Sequence, residues 1–394
     1  MNTPFNDKQN IITLFSLLLS LFAQMQAISL LGLAIPLSLS DVGSSINTIG
    51  QVMALYSVGL IIGTYQGKKT IAQVGHVRAF AGFAAIATVT AIVHSLTNSI
   101  VFYGVLRVLS GISAAVMLIV IESWFNTLSI NSNRSRLLAL HQIVFYVAMG
   151  SGQLLINLSP ENLSTIFLIA AILSCFALMP ITLIRIENPP VVVAKPISIT
   201  TLIKLAPCGI LGAFCAGNAI GAVFNLSPVF IKSITPSMVE LSIFMSAVIF
   251  SGAILQRSVG KVADKYSREY TLIFLLVLMA MSALVVIFFS TEIPLPLLGV
   301  FIGAPMGCLY PISVAMTYAK LTNDKTIASS SWLLLAYASG GFLGPILASY
   351  LMLEFGGDML FIYIAVFNLF LAVCCYFIYK YGMHIRLYNI FKSL

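Results

Sequence analysis

Charge is what this sequence has least of. Only 8% of its 394 residues are Asp, Glu, Lys or Arg, against about 25% in an ordinary soluble domain. With 59% of residues hydrophobic, so few charges cannot clothe a surface that faces water. Cysteine is scarce too. The six present (Cys175, Cys208, Cys215, Cys308, Cys374 and Cys375) all lie in apolar runs, and none has metal-ligand spacing. Core packing is expected of them rather than disulfides. The four histidines, at 76, 94, 141 and 384, make a zinc site improbable. The chain has no Walker-type phosphate loop and no nucleophile–base set. These absences argue against an ATP-driven pump, against an enzyme and against any cofactor.

What the chain has instead is long apolar runs. A bilayer core about 30 Å thick needs about 20 apolar residues per helix. Such runs fall near 11–39, 46–65, 79–96, 99–122, 137–157 and 163–184, and again near 205–231, 239–256, 271–290, 294–318, 327–352 and 359–380. The first is too long for a signal peptide and has no clear small-residue cleavage site. Twelve spans in an all-α membrane protein are expected, as two pseudo-symmetric six-helix bundles over 1–185 and 205–380. A cytoplasmic linker at 186–204, punctuated by Pro189, Pro190 and Pro196, would join them, with a cytoplasmic tail at 381–394.

The net charge of +8 does not point to nucleic acid, because its distribution follows the spans. Eighteen of the twenty Lys and Arg residues fall in the even-to-odd loops and at the two ends. Lys232 alone lies on the opposite side, and Arg107 lies inside a span. The positive-inside rule then puts both termini in the cytoplasm of a bacterial inner membrane, with the basic loops facing anionic headgroups.

The halves align at an ungapped offset of 192 residues. Pro36 matches Pro228, Gly111 matches Gly303 and Gly152 matches Gly344. Parallel repeats of this kind place a solute site between halves, near the membrane midplane.

The loop after span 8 has Gly260, Asp264, Lys265 and Arg268, with Ser267 where a second Gly would stand. Span 4 carries Arg107 and Gly111 four residues apart. These motifs resemble the major facilitator superfamily (MFS). In the loop after span 2 only Gly75 and Arg78 survive, because Lys68, Ala72 and Gln73 replace the pattern. Span 5 has Gly150, Gly152 and Gln153 without the antiporter Gly-Pro. Span 11 carries Gly340, Gly344 and Pro345. Glu122-Ser123, Asn133-Arg134, Gly152-Gln153 and Tyr310-Pro311 are also similar to the YcaD-like bacterial branch. The resemblance implies alternating access by a monomer, with spans 1, 4, 7 and 10 around the solute.

Arg107 is the sharpest candidate. It sits roughly 12 Å into span 4, where Arg costs at least ~2.5–3.5 kcal/mol. A wet cavity or a polar partner must offset that. It reads as an anion-binding or coupling group, or as a structural Arg bonded to carbonyls. Gln24, Gln26, Asn218, Asn225, Tyr146 and Tyr310 are candidate cavity residues, although each could equally be helix–helix glue. Asn218 is the repeat partner of Gln26. Glu122, His141, Arg134, Arg136, Asp264, Lys265 and Arg268 are candidates for gating or coupling. His141 is the residue type that titrates near neutral pH, and a packing role is its alternative. Glu122 and Asp264 are expected at a cytoplasmic gate.

The reading is secondary active or facilitative transport of a small polar or anionic solute, with a coupling proton or cation left open. Drug efflux is the alternative within the class. A non-transporting receptor or assembly factor is the alternative outside it, and the short tails lower that one.

Overall fold

The computed structural model describes residues 8–128, 134–183, 198–290, 292–321 and 323–393. The backbone is helical almost throughout, as lipid requires. With no water to bond them, N–H and C=O groups must be satisfied within the segment. The helices are α1 (Lys8–Asp41), α2 (Ile46–Val74), α3 (His76–Leu96), α4 (Ile100–Leu128), α5 (Arg134–Leu154), α6 (Leu163–Leu183), α7 (Ile199–Leu205), α8 (Pro207–Ile234), α9 (Met238–Lys265), α10 (Arg268–Phe289), α11 (Leu295–Tyr318), α12 (Asn323–Phe355) and α13 (Met359–Ser393). A 3₁₀ turn at Leu155–Leu158 extends α5. All but α7 are long and apolar enough to cross a bilayer, so spans 7 to 12 are α8 to α13.

Several ends differ from the hydropathy reading. α2 does not stop at Gly67, Lys68 and Lys69 but continues to Val74. It ends at Gly75, whose φ of 84° is open to Gly and costly for other residues. α9 likewise runs through Gly260 and Asp264 to Lys265. Charged residues end an apolar run without ending a helix. α13 carries on past residue 380 to Ser393, and the expected linker holds the short α7, capped by Ser198. The expected break over Asn131 to Arg136 is helical from Arg134 on, where α5 begins; 131–133 lie outside the described residues, as does most of 186–204.

The chain packs as two compact units, 1–192 with 224–249, and 193–223 with 250–394. The first has its core around Leu17, Leu21, Met25, Phe80, Trp124 and Phe125, all buried. The second has its own around Cys215, Leu272, Leu276, Leu309 and Ile312.

Lipid tails are as apolar as Leu, so helices in a membrane associate through close packing rather than water exclusion. Small residues supply it here. Gly59 and Gly63 of α2 lie against α4 so closely that a Cβ on either would strike the α4 backbone, and Gly111 meets α2 in the same way. The 192-residue repeat is visible in these contacts. A Cβ on Gly152 would lie 2.9 Å from the Gln26 carbonyl oxygen, and one on Gly344 would strike the Asn218 carbonyl. Leu60 meets Gly111, and its repeat partner Gly252 meets Gly303. Both copies therefore bring their equivalent helices together at equivalent points.

Candidate functional site

Arg107 lies in the first unit, 5% exposed. Its guanidinium sits over the Tyr56 ring, 4.5 Å from the centroid. One Nη donates to the Met53 carbonyl at 3.4 Å, a long bond by ordinary geometry. Met53 and Tyr56 are neighbours on one face of α2, and the glycine contact between α2 and α4 brings that face within reach. The Nε has no hydrogen-bond partner, and no carboxylate pairs with Arg107 among the described residues. A cation–π contact supplies ~0.5–2 kcal/mol, which falls short of the cost of the charge at this depth.

Beside the guanidinium is a cavity of about 20 Å³ lined by Gln24, Tyr56, Thr90, Ser110 and Ser174, with Ile28, Leu31 and Ala87. It holds about one water-sized group. Two of the hydroxyls are committed: Thr90 donates to the Ala87 carbonyl at 2.8 Å, and Ser110 donates to the Thr90 Oγ1 at 3.1 Å. Ser174 Oγ and Gln24 Oε1 are buried without hydrogen-bond partners. Next to this group the His94 Nδ1 lies 2.6 Å from the Thr90 carbonyl. The His94 ring stacks on Phe167 and meets Tyr103 edge-on.

Of the residues singled out from sequence, the fold brings Arg107 and Gln24 together at this cavity. Gln26 instead donates to Ser151 Oγ at 3.1 Å, tying α1 to α5. Asn218 donates to the Tyr363 hydroxyl at 2.7 Å in the second unit. Asn225 is half-buried in the part of α8 that packs with the first unit. Tyr146 is half-buried and edge-on to Phe145. Tyr310 is half-buried and edge-on to Tyr337.

The gating candidates fall in both units. Glu122 is exposed near the end of α4 and His141 is half-buried, edge-on to Phe125 at 5.0 Å. Arg136 is exposed, and the Arg134 side chain lies outside the described residues. Asp264 accepts from Arg268 at 2.9 Å. Arg268 also donates to the Ala315 carbonyl at 3.2 Å, and Lys265 lies over the Tyr266 ring.

Sequence reasoning missed Tyr56, Thr90, Ser110 and Ser174, which carry no signal among many neutral polar residues. It also missed two ion pairs, Lys320–Glu269 at 2.9 Å and Lys232–Asp41. The second had a signal: in the repeat register Lys232 stands opposite Ser40, beside Asp41. The single base that departs from the positive-inside pattern is thus neutralised by an acid from the end of α1.

The sequence profile of the Major Facilitator Superfamily matches residues 17–291 and 209–385. The chain belongs to this superfamily. As an MFS transporter it is not an enzyme, and it is a multi-pass inner-membrane protein. It is 29% identical over 346 residues to an MFS-type transporter named YcaD from Escherichia coli O17:K52:H18, a match covering 86% of this chain and 88% of that protein. The YcaD protein of strain K12 / DH10B is 28% identical over the same shares. Among solved structures, the nucleoside transporter NupG superposes with a TM-score of 0.76 at 13% identity, covering 95% of this chain and 100% of that one. The D-xylose-proton symporter gives 0.72 at 14% identity, covering 92% and 96%. The human organic anion transporter MFSD10 gives 0.67 at 13%, covering 94% and 100%. At these identities the likeness is one of fold.

Proposed function

We propose that this MFS transporter moves a small polar or anionic solute by alternating access, as a monomer with both termini in the cytoplasm. Residues 1–185 and 205–380 would act as the two rocking bundles, joined by the 186–204 linker. One observation carries the solute class: Arg107 is a buried cation with no carboxylate partner among the described residues, beside an amide and a free hydroxyl. Such a group attracts a negative or hydrogen-bond-accepting atom and repels a cation, so efflux of cationic drugs runs against it. At about 20 Å³ the cavity admits one small group of the solute. The similar structures carry nucleoside, xylose and organic anion in their names, which are compatible solute types.

Lys232 and Asp41 serve in this reading as an outer latch, made between the ends of α1 and α8. It is reinforced by Asn157 donating to Ser242 at 2.8 Å and Ser246 donating to the Gly150 carbonyl at 2.9 Å. Asp264 and Arg268 belong to the cytoplasmic gate, with Glu122 and His141 available for coupling to a proton.

A thermal-shift screen of the purified protein against a metabolite panel, run beside Arg107→Ala, tests the reading. A ligand at about 100 times its Kd stabilises by ~2.7 kcal/mol. Small anions or polar metabolites are expected to raise the melting point of the parent and not of the variant. Cationic amphiphiles stabilising both proteins equally would instead favour efflux and make Arg107 structural.

A further inference from the structure

We infer that the cavity beside Arg107 is a resident site for one small monovalent anion, held inside the first unit. The inference concerns the resting occupant of the cavity. It rests on the same orphan charge as the proposed function, so a transported anion must displace the resident one, and its test uses bromide with no metabolite present.

Charge comes first. Arg is not deprotonated in proteins, so Arg107, 5% exposed as a residue, holds a full positive charge away from bulk water. The Tyr56 face and one long carbonyl contact polarise towards it without neutralising it. A buried charge left uncompensated is among the costlier defects a fold can carry. One cation with no acid partner among the described residues calls for one negative charge.

The donors come next. Arg107 Nε and Ser174 Oγ are both buried and without partners, and both residues line the cavity. Of the other lining hydroxyls, Thr90 and Ser110 spend their protons on protein acceptors. The Gln24 amide also lines the cavity, with its Oε1 lacking a partner. Amide oxygen and nitrogen are assigned rather than observed, and a half-turn of the amide presents its NH₂ to the same space. Guanidinium N–H, hydroxyl and amide donors then converge on one acceptor. A water molecule would satisfy two of them and leave the charge in place.

A small cavity of about 20 Å³ with few free donors suits a compact ion, and bromide serves as its probe. Ile28, Leu31 and Ala87 complete the lining, an apolar surround that favours a weakly hydrated ion.

The test is melting of the full-length protein in detergent at constant ionic strength, with sodium bromide exchanged stepwise for sodium gluconate. A saturable rise in Tm with bromide is expected, absent in Arg107→Gln. Ser174→Ala is expected to raise the half-saturating bromide concentration roughly fivefold, the loss of one hydrogen bond. Should Arg107→Gln not fold, Ser174→Ala and Gln24→Leu carry the test. Crystals grown in bromide should show one anomalous peak between Arg107 and Ser174. Equal melting in bromide and gluconate overturns the inference. So does a bromide shift of the same midpoint in the parent and both lining variants, or a cavity without a bromide peak.

Discussion

Gly152 rests on Gln26 in the first half, and Gly344 rests on Asn218 in the second, in one register of 192 residues. The same register sets Arg107 against Gly299, Tyr56 against Val248 and Gln24 against Ala216. The halves therefore keep the same backbone contacts but carry different chemistry at matching depths. The small residues that let helices touch recur because any enlargement meets backbone. The charge, its aromatic ring and its amide occur once. Among the described residues, the polar side chains buried in the second unit are neutral; Asn218 donates to Tyr363, Cys215 to the Asn368 oxygen at 3.1 Å, and Asn368 to the Ile364 carbonyl. The packing contacts are duplicated, and the buried arginine sits in one copy.

The comparison can be broken most severely at the shared contacts. Gly152→Leu and Gly344→Leu each drive a side chain into backbone, so both should exceed the ~1–3 kcal/mol of ordinary overpacking and abolish folded yield. Gly82→Leu, where nothing lies within 4 Å, should melt like the parent. A normal Tm for Gly152→Leu would show that the packing half of the comparison is wrong.

Next in size is the ring under the guanidinium. Tyr56→Val copies the second half at that position and should cost ~0.5–2 kcal/mol in thermal unfolding. No change would mean the cation is held by other groups.

The outer ion pair should matter less to stability. Its side chains are 31% and 49% exposed, so Asp41→Asn is worth about 0.2–1 kcal/mol. Its effect should appear in periplasmic cysteine labelling, as an outward shift of up to about fivefold. The charge-reversed pair Asp41→Lys with Lys232→Asp should restore parental labelling, and failure to restore it would remove the latch.

The smallest effect is expected at Asp264→Asn. That i,i+4 pair, with Asp264 at 68% exposed, contributes about 0.3–0.5 kcal/mol, a shift of about twofold in cytoplasmic accessibility. Unchanged labelling would exclude Asp264 from the gate.

Hydropathy made the spans legible, because each needs an uninterrupted apolar window whatever surrounds it. It misjudged the ends of α2 and α9, where Lys68, Lys69 and Gly260 interrupt the apolar run while the backbone ladder continues to Gly75 and Tyr266. It passed over α7, seven residues in a proline-punctuated stretch. Arg107 was legible as the one base within a span. Thr90, Ser110 and Ser174 were not, since a neutral hydroxyl inside a membrane helix usually bonds its own backbone, and only packing shows which of them share a cavity. Asn218 and Asn225 share a helix face by spacing, yet they pack in different units, which no periodicity reveals.

The most direct test of Arg107 as the working charge is solute flux into proteoliposomes by the parent and by Arg107→Gln, once the thermal screen has named a solute. The account predicts uptake of a small anionic or polar solute by the parent, and loss of about 100-fold or more, some 2.7 kcal/mol, in a variant that still melts cooperatively. Uptake at the parental rate by folded Arg107→Gln would contradict it.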